Sequence, residues 1–223
     1  MDGMNHYRVA DTLLLIHQSI SRGVHMSGLY SRIFTRHGFP EGKIRPGFAD
    51  YIRSLVSVLQ AHHLGEDELA FPKFQELLPE APYEVLTSQH VQMVPILDQI
   101  RLNIDRALEN GESQESLNRL DSLLTELAEI WRTHIALEEV HFSPAKIDAV
   151  MDSESQARLL TQFADFNQKH FKPDYLVVPF TLFNLPREER AYMSDLMPPV
   201  VTQQLIPVAW KEKWRPMSPF LLV

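Results

Sequence analysis

The sequence predicts an all-α fold, an up-down-up-down four-helix bundle that carries an extension of short helices packed on it. Three observations lead to this prediction. Apolar residues recur at helical spacing up to about residue 145, and no strand-like alternation of apolar and polar residues competes with that pattern. Glycine and proline separate the long segments, and beyond residue 145 closely spaced prolines break the chain into short pieces.

The four long helices are expected at about residues 7–36, 48–75, 83–110 and 114–142, with Pro144 as a stop. This pattern divides the chain into a bundle domain, residues 1–145, and a proline-rich helical extension, residues 146–223. In the extension we expect helices near residues 154–170, after Pro186 and near residues 200–214. The extension is too apolar and aromatic for a free tail, so we expect it to pack on the bundle.

Composition excludes several classes of function. The net charge of −8 argues against nucleic acid as the main partner, because phosphate binding depends on lysine and arginine. The absence of cysteine excludes disulfides, zinc-thiolate sites and iron–sulfur clusters. The sequence has neither a targeting signal nor an apolar stretch of the roughly 20 residues that a membrane span needs, so a cytoplasmic protein without a membrane partner is expected.

Two segments repeat the same pattern. His62 is followed by Glu66, and His134 by Glu138, with another acidic residue directly after each glutamate and a proline ten residues after each histidine. On a helix, residues four apart lie on one face about 5–6 Å from each other. Each histidine and glutamate pair can therefore approach the same metal ion from one helix.

A single histidine precedes each pair by one helix. His17 lies 45 residues before His62, and His90 lies 44 residues before His134, so the chain reads as a tandem repeat of a helical hairpin. His90 and His134 are about equally far from the turn that joins their helices, which predicts that they lie level with each other.

These six residues predict a dinuclear metal site in the bundle interior. Imidazole and carboxylate ligands suit iron, manganese or zinc, whereas calcium and magnesium prefer oxygen ligands alone. Two glutamates can bridge two ions, and four histidines can complete them, two on each. Without a metal, four histidines on buried faces would be costly polar groups. The predicted ligands are His17, His62, Glu66, His90, His134 and Glu138.

Three other histidines compete with this assignment. His25 is the alternative to His17 on the first helix, although its helical neighbours are less apolar. His63 with Asp67 is the alternative register of the first motif, and we expect His63 to be half-exposed. His141 follows Glu138 by three residues, but a ferritin-type site would need a second such pair.

The doubled motif and the two single histidines resemble the hemerythrin-like His-His-Glu cation-binding family over about residues 5–145. The resemblance implies two non-haem iron ions, an oxo or hydroxo bridge between them, and dioxygen as a partner. One position departs from the family pattern: oxygen-carrying hemerythrins have a further histidine four residues after the one on the third helix, where this chain has Val94. With only two histidines for each iron, both irons would keep an open coordination position.

Two hypotheses for function follow. The departure at Val94 favours an oxygen-activating oxidase or oxygenase acting on a small organic molecule, with the extension closing the substrate pocket. The alternative is a non-catalytic protein that binds dioxygen or iron for storage or sensing. An apolar pocket that leads from the surface to the metal site would favour the enzyme, because a binding protein does not need one.

Overall fold

Helices form the regular structure of residues 8–39, 42–109 and 114–223, the parts of the chain that the computed structural model describes. The bundle region contains α1 (Val9–His37), α2 (Ile44–Gly65), a π-helical segment (Glu66–Ala70), α3 (Phe71–Leu77), α4 (Tyr83–Glu109) and α5 (Gln114–His141). The predicted start of the first helix at residue 7 and the predicted end of the third at residue 110 lie outside the described residues.

The long helices close into a bundle. Helix α1 packs against α2 and α5, and α4 packs against the same two helices from the other side. This arrangement confirms the predicted all-α bundle. It also places His90 and His134 level with each other, since their Nε2 atoms lie 3.2 Å apart.

The second long helix differs from the prediction because a π-helical segment interrupts it. The backbone N–H of Phe71 donates to the carbonyl of Glu66, five residues earlier. In a regular α-helix the ring of Pro72 would clash with the carbonyl four residues before it, and the wider π turn precedes this proline. Pro144, in the equivalent place of the second half, instead stands at the start of a new helix. The two prolines therefore act differently.

The C-terminal region consists of short helices: α6 (Pro144–Val150), α7 (Ser153–His170), α8 (Asp174–Phe183), α9 (Arg187–Asp195), a second π-helical segment (Val201–Ala209), α10 (Lys211–Trp214) and a 3-10 helix (Arg215–Phe220). Helices α7 and α9 match two of the predicted helices, whereas the third, expected near residues 200–214, is divided into the second π-helical segment and α10. Helix α8 was not predicted, because Pro179 lies inside it, yet Val177 and Phe180 beside that proline are fully buried. None of the described helices has the length and apolar character needed to span a membrane.

This region packs on the bundle, as expected. Val177, Phe180 and Phe220 belong to the same apolar cluster as Leu55 and Leu59 of α2. Contact between the two regions is close at Gly47, where an added Cβ would lie 1.9 Å from the backbone oxygen of Pro216. Glycine at this position allows the 3-10 helix to lie directly against α2.

The core is divided into two apolar clusters along the bundle. One contains Leu59, Met93 and Trp131, and the other contains Phe71 and Phe142. The polar residues of the predicted metal site lie between them in the sequence of each helix, so a buried polar layer separates the clusters.

The close contact at Gly47 can be tested by substitution. Gly47→Ala should lower the free energy of unfolding by about 1–3 kcal/mol, the usual cost of forcing an extra methyl group into a packed core. Gly28→Ala is the matched control, because its Cβ would meet only the flexible end of Arg32 and alanine is favoured over glycine in helices by up to about 1 kcal/mol. Urea unfolding of the two variants measures the difference. Equal stability of both would show that the 3-10 helix does not dock on α2 as described.

Candidate metal centre

Seven ionisable side chains meet in the polar layer of the bundle. Each is less than 10% exposed: His17 from α1, His62 and His63 from α2, Glu66 from the π-helical segment, His90 from α4, and His134 and Glu138 from α5. All six residues predicted from the sequence are among them. The structure adds His63, which is buried, so the expectation that it is half-exposed was wrong.

The seven residues form overlapping groups. Within each group, one potential ligand atom of every residue lies within 4.8 Å of those of the other members. The first group contains His17, His62, Glu66 and Glu138. The second contains His90 and His134 with the same two glutamates. We call these the first group and the second group. Each has two histidines of its own, and both share the two carboxylates.

Glu66 lies between the two groups. Its Oε1 atom is 3.2 Å from Nε2 of His62, whereas its Oε2 atom is 3.5 Å from Nε2 of His90. Glu138 likewise faces both groups, with Oε2 3.2 Å from Nε2 of His17 and 3.5 Å from Nε2 of His134. Two carboxylates in this arrangement have the placement needed to bridge a pair of ions.

Carboxylates and an amide outside the groups hold three of the imidazole rings. Nδ1 of His17 lies 3.4 Å from Glu139, and Nδ1 of His90 lies 2.9 Å from Asp67. Glu139 and Asp67 are the acidic residues that directly follow the two motif glutamates, so the structure gives that part of the repeat a role. Nδ1 of His134 lies 3.1 Å from the Gln89 side-chain oxygen. These contacts orient each ring so that Nε2 points to the shared carboxylates.

Several buried atoms of the site have no hydrogen-bond partner within the described structure. They are Nε2 of His17, His62 and His63, Oε2 of Glu66, and both carboxylate oxygens of Glu138. Nε2 of His17 is close to Glu138, but not in the geometry of a hydrogen bond. An unpaired buried polar atom costs roughly 1–3 kcal/mol. A metal ion bound to these nitrogen and oxygen atoms would remove that cost, so the residues fit a metal-binding role.

The histidines fall into two electrostatic classes. Burial lowers the pKa of His62 and His63 well below the usual value, and it lowers the pKa of His134 to about 4. Burial acts the same way on His17 and His90, but nearby carboxylates outweigh it. They raise the pKa of His17 well above its usual value and the pKa of His90 to about 9.

The two shared glutamates also differ. Burial and the charge of Glu138 raise the pKa of Glu66. For Glu138, burial is outweighed by the neighbouring His17 and His134, and its pKa is lowered. A nitrogen that binds a metal must be deprotonated, so an ion bound at Nε2 of His17 and His90 would displace one proton from each ring.

A narrow cavity of about 10 Å³ adjoins the first group. His17, Glu66, Glu138 and Glu139 line its polar side, and its remaining wall is apolar, formed by Ala10, Leu13, Leu14, Ala70, Phe71, Phe74 and Phe142. A volume of this size holds about one water molecule. No residue of the C-terminal region lines it. The hypothesis that this region forms a wall of the pocket is therefore not met for this cavity.

The positions of the competing histidines show which of them belong to the site. His25 is exposed on α1, whereas His17 on the same helix is buried in the first group. His141 is partly buried and belongs to neither group. Sequence spacing misjudged His63 because it assigned one inward face to α2, although that helix faces both α1 and α4. The adjacent pair His62 and His63 was the available signal, since neighbouring helical residues point about 100° apart.

Comparison with known proteins supports the resemblance seen in the sequence. A family model described as the hemerythrin HHE cation binding domain matches residues 8–145. This range covers more than half of the chain and includes every residue of the two groups. No curated protein and no solved structure matched the chain.

Trp131 offers a direct test for an ion in the site. Its ring lies 5.8 Å from that of His17, 6.0 Å from that of His62 and 5.8 Å from that of His134. Anaerobic addition of Fe(II) should quench the fluorescence of Trp131, because the ion would bind close to the indole. In the Trp131→Phe variant, the remaining emission from Trp210 and Trp214 should not change. The same quenching in that variant would place the bound iron elsewhere.

Proposed function

The chain belongs to the family of the hemerythrin HHE cation binding domain, and on that premise we propose that its polar layer binds two iron ions. His17 and His62 would hold one ion, and His90 and His134 the other. Glu66 and Glu138 would bridge them. The overlap of two four-residue groups through the same two carboxylates is the observation that supports a pair of ions rather than one.

The chemistry of the donor atoms favours iron. Nitrogen and carboxylate oxygen donors without a thiolate suit iron, manganese and zinc, and the family resemblance selects iron among them. The family resemblance also implies a bridging oxo or hydroxo group. Bound iron would supply the redox change and the open coordination position that dioxygen binding requires.

We further propose that this protein binds dioxygen, or another molecule of that size, without transforming an organic substrate. The cavity beside the first group supports this function, because its volume of about 10 Å³ suits a diatomic molecule and not an organic one. Its apolar wall favours a ligand that carries no charge. Of the two hypotheses from the sequence, the cavity favours storage or sensing over an oxygenase.

The residues of the chain have separate roles in this proposal. Asp67 and Glu139 keep the Nδ1 protons of His90 and His17 in place, which leaves Nε2 free to bind. Phe71, Phe74 and Phe142 exclude bulk water from the cavity. A dry site protects a bound ligand from reaction with solvent protons.

The ligand assignment predicts a contrast between two histidines of α1. His17→Ala should lose at least one of two irons per chain, whereas His25→Ala should keep both, because only His17 is buried with Glu66 and Glu138. Iron analysis after anaerobic reconstitution gives the number of ions, and near-ultraviolet absorption of the oxidised protein reports an oxo bridge. Wild-type protein that takes up zinc but no iron would contradict the di-iron proposal.

The cavity predicts a second contrast. Ala10→Val should fill the space beside the first group and slow the binding of nitric oxide, an uncharged diatomic molecule, to the reduced irons at least several-fold, without changing the iron content. Ala107→Val is the matched control, because Ala107 is equally buried but lies in the other apolar cluster. Stopped-flow absorption measures both rates. Equal rates in the two variants would show that small molecules do not reach the irons through this cavity.

An oxygenase would give a different result. If the protein were an oxygenase, the two-electron-reduced wild type exposed to dioxygen would consume further reductant only when an organic substrate is present. We expect dioxygen uptake that is independent of added organic molecules.

A further inference from the structure

His63 is a buried imidazole that the six-residue assignment leaves without a role. It is 5% exposed, and its Nε2 atom has no hydrogen-bond partner in the described structure. A neutral imidazole in this state carries an unsatisfied polar atom in the core, which is costly. The ring of His63 lies beside those of His90 and His134, at centroid distances of 4.1 and 5.4 Å, so a partner for the unpaired atom is expected there.

The geometry relates His63 to both histidines of the second group. One ring nitrogen each of His63, His90 and His134 lies within 4.8 Å of the other two. The ring of His63 stacks on that of His90 at 4.1 Å with an interplanar angle of 17°. The ring of Phe71 is also stacked with that of His90, at 5.5 Å and 10°. The three stacked rings hold His63 in place beside the second group.

Val94 cannot fill this place. It occupies the position four residues after His90, where oxygen-carrying hemerythrins have their further histidine, but here it is 49% exposed on α4. A side chain at that position faces solvent in this bundle. An unassigned nitrogen within 4.8 Å of His90 and His134 comes from His63 of α2 instead.

We propose that His63 is a fifth histidine ligand and completes the second metal position with His90, His134, Glu66 and Glu138. This inference rests on the proposed function, since it concerns the same pair of ions. It makes the centre asymmetric, with three histidines on one ion and two on the other. The open coordination position then belongs to the ion held by His17 and His62.

The cavity agrees with this asymmetry. Its polar lining contains His17, Glu66, Glu138 and Glu139, but none of His62, His63, His90 and His134. A small molecule that enters there meets the side of the site with two histidines. The prediction from sequence that both ions keep an open position is thereby replaced: His63 blocks one of them.

Cobalt(II) is a suitable probe, because ligand histidines of a cobalt ion give paramagnetically shifted, solvent-exchangeable imidazole N–H signals in proton NMR spectra. Wild-type protein with two cobalt ions should show five such signals. His63→Phe keeps a planar ring for the stack but removes the nitrogens, and it should show four. His63→Ala is the second variant in case the larger ring does not fit. His25→Ala, an exposed histidine on α1, should keep all five.

Affinity gives an independent readout. Loss of a residue that only orients a metal ligand typically costs roughly 10–100-fold in metal affinity, so loss of a direct ligand should weaken one of the two cobalt-binding steps at least tenfold. The other step should change little. Two cobalt ions bound with four signals in both wild type and His63→Phe would overturn the role of His63 and leave the proposed function intact. A wild type that binds no cobalt and no iron would instead overturn the proposed function itself.

Discussion

A layer of imidazoles and carboxylates, buried across the middle of an apolar bundle, is the constraint on which the rest of this structure depends. Burying even one unpaired ion costs several kcal/mol, and removing one partner from a buried pair leaves the other uncompensated. The helices must therefore bring Glu66 and Glu138 within reach of the histidines at one level. The long, antiparallel helices satisfy this requirement, because side chains from all of them converge at one height.

The two halves of the bundle supply similar residues but not the same backbone. After His62 the chain enters a π-helical segment that contains Glu66, whereas after His134 the α-helix continues through Glu138 to His141. The wider turn belongs to the half that also carries the second histidine of the adjacent pair. The two segments that repeat in the sequence therefore form two different sides of one site. In the centre that we propose, that difference would separate the side that admits a small molecule from the side that His63 closes.

The C-terminal region supports the site from a distance. Ile147 of α6, Met151 directly after it and Leu159 of α7 belong to the apolar cluster that also contains Phe71 and Phe142, two of the residues that line the cavity. Gln156 of α7 accepts a hydrogen bond from the backbone of Val9, near the start of α1. The region thus fixes the positions of residues around the cavity without touching the cavity itself, which is consistent with a role in rigidity more than in substrate selection.

The sequence by itself predicted the fold class and six of the seven residues that meet in the polar layer. Helical period, paired spacing and chain length to the shared turn are local quantities, and they suffice to place His90 level with His134. Only the tertiary structure decided that His63 faces inward and that the cavity lies on one side of the layer, and it showed that His17, which the sequence preferred to His25, is the buried one. These facts depend on which helices surround α1 and α2. A helix buried on several sides has more than one inward face. The periodicity of a single chain segment does not show how many helices surround it.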